Sequence, residues 1–152
     1  MSSRSFRAHR SRCHRRGMAA TESPTGRTAR PVIVLNSRDL LMTPRSRTIR
    51  FEGRRFDAEL SFFLVDMDPG AGPQPHRHPY AEVFVPLDGQ VLIRSGDDEL
   101  EADPDRIVVV GRDVEHSFTN IGTSRLHMAC LHASAQMITE WADGERSTGE
   151  RR

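Results

Sequence analysis

The stretch GAGPQPHRHPYAEVFVPLDG, residues 70–89, decides how this chain is read. It sets His76, His78 and Glu82 at positions i, i+2 and i+6. On a β-strand, side chains alternate between faces with a period of two. A strand running unbroken from His76 to Pro86 therefore points all three to one side. Two imidazoles and a carboxylate on one side of a sheet are three parts of a metal site. His116, in the later stretch GRDVEHSFTN, is the best candidate for the fourth ligand.

Outward from this stretch, short apolar runs alternate with turn signals. Strands are expected at 32–35, 48–51, 56–67, 76–86, 91–94, 99–102, 107–110, 116–120 and 126–132. A helix is expected over 136–143, with Ser134 as N-cap and Gly144 as stop. Asp88-Gly89 reads as a hairpin turn. Pro79 lacks an amide hydrogen, which places its part of the strand at an edge or a bulge. Many short strands with one late helix point to a sandwich or barrel. Residues 1–30 are polar and Arg-rich and are expected to be disordered; 31–143 form the domain, and 144–152 a disordered polar tail.

Composition narrows the function classes. All 22 basic side chains are Arg. Six of them fall in residues 1–17, which hold no acid, so the remainder has 16 Arg against 21 acids and carries about −5. An acidic domain lacks the positive footprint of a nucleic-acid binder. The basic tail reads as disorder or as residues ahead of a true start at Met18. No run reaches the ~18 apolar residues of a membrane helix. Two cysteines, Cys13 and Cys130, make no disulfide framework, which fits a reduced, cytoplasmic setting.

The motif Gly70, His76, His78, Glu82, Gly89 resembles the first motif of the cupin superfamily at every position. The second motif matches at His116 and Asn120. Asp105, Gly111 and Asp113 stand where that family usually has Gly, Pro and Gly, which puts a turn in question and no ligand. The resemblance covers roughly residues 31–143 and implies an all-β jelly-roll barrel, a double-stranded β-helix, with the short C-terminal helix added. It also implies a homodimer.

His76, His78, His116 and Glu82 would then hold one divalent transition metal. Fe, Mn, Ni, Co, Cu and Zn all suit that donor set. Positions left open on the metal would accept substrate, water or O₂. Glu82, as a ligand able to relay a proton, and Tyr80 are the candidate catalytic groups. Parity places Tyr80 and Phe84 with the motif ligands and Phe118 with His116. Met128 and His132 share the inward face of the last strand. These would line an apolar pocket. Core packing accounts equally well for Phe84 and Phe118, Tyr80 reads equally well as a rim residue, and a satisfied strand-end histidine is the better account of His132. The resemblance implies a dioxygenase-like enzyme acting on a small organic molecule. A metal-dependent isomerase or cyclase, or a non-catalytic ligand-binding cupin, is the alternative.

Overall fold

The structure, a computed structural model, describes residues 32–148. The Arg-rich tail expected to be disordered, Cys13 and the last four residues lie outside that range. Eleven strands follow one another: β1 Ile49–Glu52, β2 Ser61–Met67, β3 His76–Arg77, β4 Glu82–Asp88, β5 Val91–Ser95, β6 Asp98–Ala102, β7 Val108–Val110, β8 His116–Asn120, β9 Leu126–His132, β10 Ile138–Trp141 and β11 Arg146–Thr148. They form a five-stranded sheet, β1-β2-β9-β4-β7, and a six-stranded sheet, β11-β10-β3-β8-β5-β6. Every strand pair is antiparallel. The expected all-β jelly roll is the architecture observed.

The inner faces of both sheets meet in one core. Phe84 and Met128 of the first sheet and Val91 and Ile93 of the second are essentially excluded from solvent. The Phe84 and Phe118 rings meet edge to face across the two sheets, with centroids 5.8 Å apart. Each such buried side chain stabilises by about 1.5–3 kcal/mol relative to leaving it exposed.

The motif strand is not continuous. Arg77 ends β3 in the six-stranded sheet, and Glu82 opens β4 in the five-stranded sheet facing it. Pro79 explains the break. It offers no ladder donor, and its ring restricts the backbone of His78. The chain crosses from one sheet to the other here, held by Asp113 N–H donating to His78 O at 2.7 Å and Arg112 Nη2 donating to Pro79 O at 2.9 Å. Asp88-Gly89 is likewise a corner and not a hairpin, because β4 and β5 lie in different sheets.

The helix expected over 136–143 is also absent. β10 occupies that stretch and pairs with β3 and β11. Ile138, Thr139 and Trp141 favour a pleated surface. The backbone groups a helix would need are engaged sideways: Ile138 N–H donates to the Tyr80 hydroxyl at 2.8 Å, and His78 Nδ1 donates to Ile138 O at 2.7 Å. Ser134 closes a local turn with Gln136 and caps nothing. Gly144 (φ 88°) turns β10 into β11, so a strand stands where a polar tail is expected. Residues 32–35 form no strand, and Val32 and Val34 are largely exposed.

The turn questioned by the second motif is resolved at Asp113, whose φ is +61°. The left-handed conformation that glycine usually supplies is kept. Aspartate is one of the few side chains that adopts it at tolerable cost.

Candidate metal centre and its cavity

His76 and His116 are direct cross-strand partners on β3 and β8. His78 follows in the crossing segment, and Glu82 faces them from the opposite sheet. The cluster is thus assembled across the sandwich, not along one strand face. All four residues are buried, and a ligand atom from each lies within 4.8 Å of the others.

Backbone carbonyls fix the three imidazoles. Nδ1 of His76, His78 and His116 lies 2.8, 2.7 and 2.8 Å from the carbonyl oxygens of Gln74, Ile138 and Val114. A carbonyl only accepts, so each Nδ1 carries the proton and each Nε2 keeps its lone pair for the centre. Glu82 Oε2 sits among them, 2.9 Å from His116 Nε2 and 3.1 Å from His78 Nε2. The second of these lacks hydrogen-bond alignment, and His78 Nε2 has no hydrogen-bond partner among the described residues.

Lone pairs and a carboxylate oxygen gathered in a dry space require a cation between them, either a proton or a metal. The titration shifts show the same demand. Burial by itself would raise the Glu82 pKa, but the His116 and His78 imidazoles beside Oε2 outweigh it and hold the carboxyl far below its usual range. Burial would lower that of His116, yet Glu82 draws a proton to the ring and raises it. Burial dominates at His76 and lowers it to about 4. The donor set therefore fits one divalent transition metal, whose identity it leaves open.

A row of inward-facing residues carries the centre across the five-stranded sheet. The register aligns Glu52, Ser61, His132, Glu82 and Val110 on adjacent strands. The next row aligns Arg50, Phe63, Cys130, Phe84 and Val108. Above these rows opens a cavity of about 740 Å³. Its walls include Phe63, Val65, Met67, Phe118, Met137 and Trp141, with Arg50, Glu52 and His132 as polar members.

The expected pocket residues divide. Phe118 and His132 line the cavity, while Phe84 and Met128 do not. At 0% and 1% exposure those two belong wholly to the core. Tyr80 does not line the cavity either. Its hydroxyl is held by both backbone groups of Ile138, its ring stacks on His78 at 5.2 Å, and burial pushes its pKa up to about 12. Asn120, the last matched motif position, ties Met67, Ser124 and Gly122 together and stays away from the centre. Arg50, Glu52, Phe63 and Trp141 were not legible as cavity residues. A signal exists in β1, where Thr48, Arg50 and Glu52 alternate with the apolar Ile49 and Phe51, which implies a polar inward face.

The arrangement defines a jelly-roll barrel with a buried three-histidine, one-carboxylate centre. The family described as Cupin domain matches residues 63–132, and the chain carries a cupin domain over that span. Among solved structures, one of oxalate oxidase in complex with the substrate analogue glycolate is similar at a TM-score of 0.55 and 16% identity, covering 67% of this chain and 59% of that one. A structure of Bacillus subtilis oxalate decarboxylase, described with Mn(II) centres, has a TM-score of 0.58 at 16% identity, over 63% of this chain and 28% of that one. The Lactobacillus farciminis oxalate decarboxylase formate complex gives 0.52 at 17% identity, over 58% and 28%. The chain thus spans less than two thirds of the length of these proteins, and the likeness is one of fold. No curated protein matches the sequence. No helix among the described residues is long and apolar enough to cross a membrane.

Proposed function

We propose that this cupin is a metal-dependent enzyme acting on a small organic molecule in its cavity, with dioxygenase-type chemistry ahead of isomerase or cyclase chemistry. One observation carries the reading: three imidazoles with fixed tautomers and one carboxylate converge at the wall of a cavity large enough for a small molecule. His76, His78, His116 and Glu82 would hold the metal, which would supply Lewis acidity or redox chemistry at its open positions. The apolar wall excludes water and orients the substrate. Glu82, a ligand whose Oε1 lies 3.4 Å from His132 Nε2, would relay a proton to or from the reacting molecule. Tyr80, bound to Ile138 and stacked on His78, acts as a positioning residue for that ligand. The oxalate enzymes act on a two-carbon diacid; this cavity admits a larger and less polar molecule.

Elemental mass spectrometry on the full chain, beside a His76→Ala/His116→Ala variant, tests the reading. Near-stoichiometric Fe, Cu, Ni, Co or Mn in the wild type, lost in the variant, is expected, with metal-dependent O₂ uptake in a substrate screen. Zinc would transfer the reading to non-redox chemistry. No bound metal after reconstitution with each ion overturns it.

Self-association is part of the same proposal. The outer face of the five-stranded sheet carries an apolar row, Phe51, Phe62, Leu131, Val83 and Val109, with Leu131 38% and Val109 65% exposed. The outer face of the six-stranded sheet instead carries charged pairs, Arg94 with Glu99 and Arg77 with Glu140. A homodimer formed through the apolar face should appear in light scattering and dissociate on Leu131→Glu/Val109→Glu substitution; a wild-type monomer refutes it.

A further inference from the structure

Four buried side-chain polar atoms lack a hydrogen-bond partner among the described residues: His78 Nε2, Arg50 Nε and both ring nitrogens of His132. All three residues line the cavity beside the metal centre. Buried polar atoms are almost always satisfied, so an orphan set around one cavity points to where something else binds. The metal centre accounts for His78. It does not account for Arg50, on the edge strand β1, or for both nitrogens of His132.

Arg50 and His132 stand on opposite sides of Phe63. The register sets Phe63 directly beside Arg50, and the Phe63 and His132 ring centroids are 5.6 Å apart, edge to face. Arg50 Nη2 donates to Glu52 Oε1 at 2.9 Å, and that same oxygen accepts from Met137 N–H at 3.2 Å. The acid beside the guanidinium is thus already engaged, and Arg50 Nε–H is left buried without an acceptor among the described residues. His132 is 2% exposed; its Nε2 is 3.4 Å from Glu82 Oε1 without bonding to it.

Resting on the function proposed above, we propose that Arg50 and His132 form a subsite for the carboxylate of the molecule held in the cavity, making the substrate class a small organic acid with an apolar body. One Arg N–H and one imidazole N–H are two donors, the number a carboxylate's two oxygens take. Phe63, between the donors, faces the carbon skeleton, and Val65, Met67 and Phe118 continue that apolar surface. A metal beside Glu82 removes the like-charge conflict that the free carboxylate would otherwise impose.

The test is calorimetric titration of the metal-loaded full chain with acetate, benzoate and phenylacetate, each beside its neutral amide. The aromatic acids should bind more tightly than acetate, and each amide about tenfold more weakly than its acid, the loss expected when a charge-assisted hydrogen bond goes. Arg50→Gln should lose about the same factor with metal content unchanged. The acid–amide comparison uses wild-type protein and so does not depend on that variant folding. Equal binding of acids and amides, undiminished acid binding by Arg50→Gln, or no acid binding overturns the subsite. Metal content separates the two claims: Arg50-dependent acid binding by a chain that takes up no metal sinks the enzyme reading and leaves the subsite, whereas bound metal without acid selectivity does the reverse.

Discussion

The two ends of the sandwich interior are built from the same strands and obey the same alternation, yet one is packed and the other hollow. At the packed end, Phe84, Val91, Ile93, Leu126 and Met128 exclude solvent entirely or nearly so. At the hollow end, inward positions of the same sheets hold His76, His116, Glu82, His132, Arg50 and Glu52. Strand parity determines which side chains face inward. Whether they meet each other or a cavity depends on what the facing sheet presents and on where the chain crosses between sheets. The packed end supplies stability and makes no demand on a ligand. The hollow end holds buried polar groups that the protein alone does not satisfy.

That contrast predicts opposite responses to truncation. Phe84→Ala should cost about 3–5 kcal/mol of unfolding free energy, because a fully buried ring leaves a void its neighbours cannot close. The folded fraction should retain metal, since Phe84 is no member of the four-residue cluster and meets the His116 ring only edge to face, with centroids 5.9 Å apart. His76→Ala/His116→Ala should abolish metal uptake while changing the stability of the metal-free protein far less. Denaturant melts paired with metal content read both quantities, and a Phe84→Ala protein that stays stable would erase the distinction between the ends.

Acid should attack the hollow end first. Burial lowers the pKa of His76 and of His132 to about 4 from an ordinary 6.5. The unfolded chain therefore binds more protons between pH 6.5 and 4, and the neutral rings contribute stability present above 6.5 that is lost as pH falls through this window. Glu82, held low by His116 and His78, adds stability above its unfolded value that is lost on further acidification. His116, raised by Glu82, has the opposite sign: its contribution is present below its unfolded pKa and fades as pH rises through the raised value. The metal-free protein should lose up to a few kcal/mol between pH 6.5 and 4. A His132→Phe variant should reduce the slope by about one proton's worth. A slope indifferent to His132 would show that this ring is solvated and not part of the dry wall.

The sequence was informative where spacing alone determines chemistry and less so where three-dimensional crossing does. The four candidate ligands, the jelly-roll class and the inward position of Phe118 and His132 followed from motif spacing and parity. The reason offered for the convergence of His76, His78 and Glu82 did not hold, because Pro79 breaks the strand and two facing sheets bring them together. Parity counted from His76 also placed Tyr80 in the pocket, although it lies in the crossing segment where alternation no longer applies. The β10 strand was misread as helix because Ile138's backbone partners, Tyr80 and His78, lie about sixty positions away in sequence. Arg50 was missed since a charged residue in a short edge strand ordinarily faces water.

The smallest predicted effect concerns the turn that joins the two ends. Asp113 holds a left-handed conformation (φ +61°) while its N–H grips His78 O at 2.7 Å, so backbone geometry at an exposed turn helps place a ligand. Its ion pair with Arg112, at 3.5 Å, is solvent-exposed and contributes little. Asp113→Gly should relieve the strain and, after the added freedom of the unfolded chain is subtracted, stabilise by about 0.5–1 kcal/mol. Asp113→Val should destabilise by about 1–2 kcal/mol, because a β-branched side chain tolerates this conformation poorly. Metal affinity separates a local effect from a transmitted one. If the turn acts only on itself, both variants bind metal as the wild type does. If it positions His78, Asp113→Val should weaken metal binding as well, and Asp113→Gly should leave it intact.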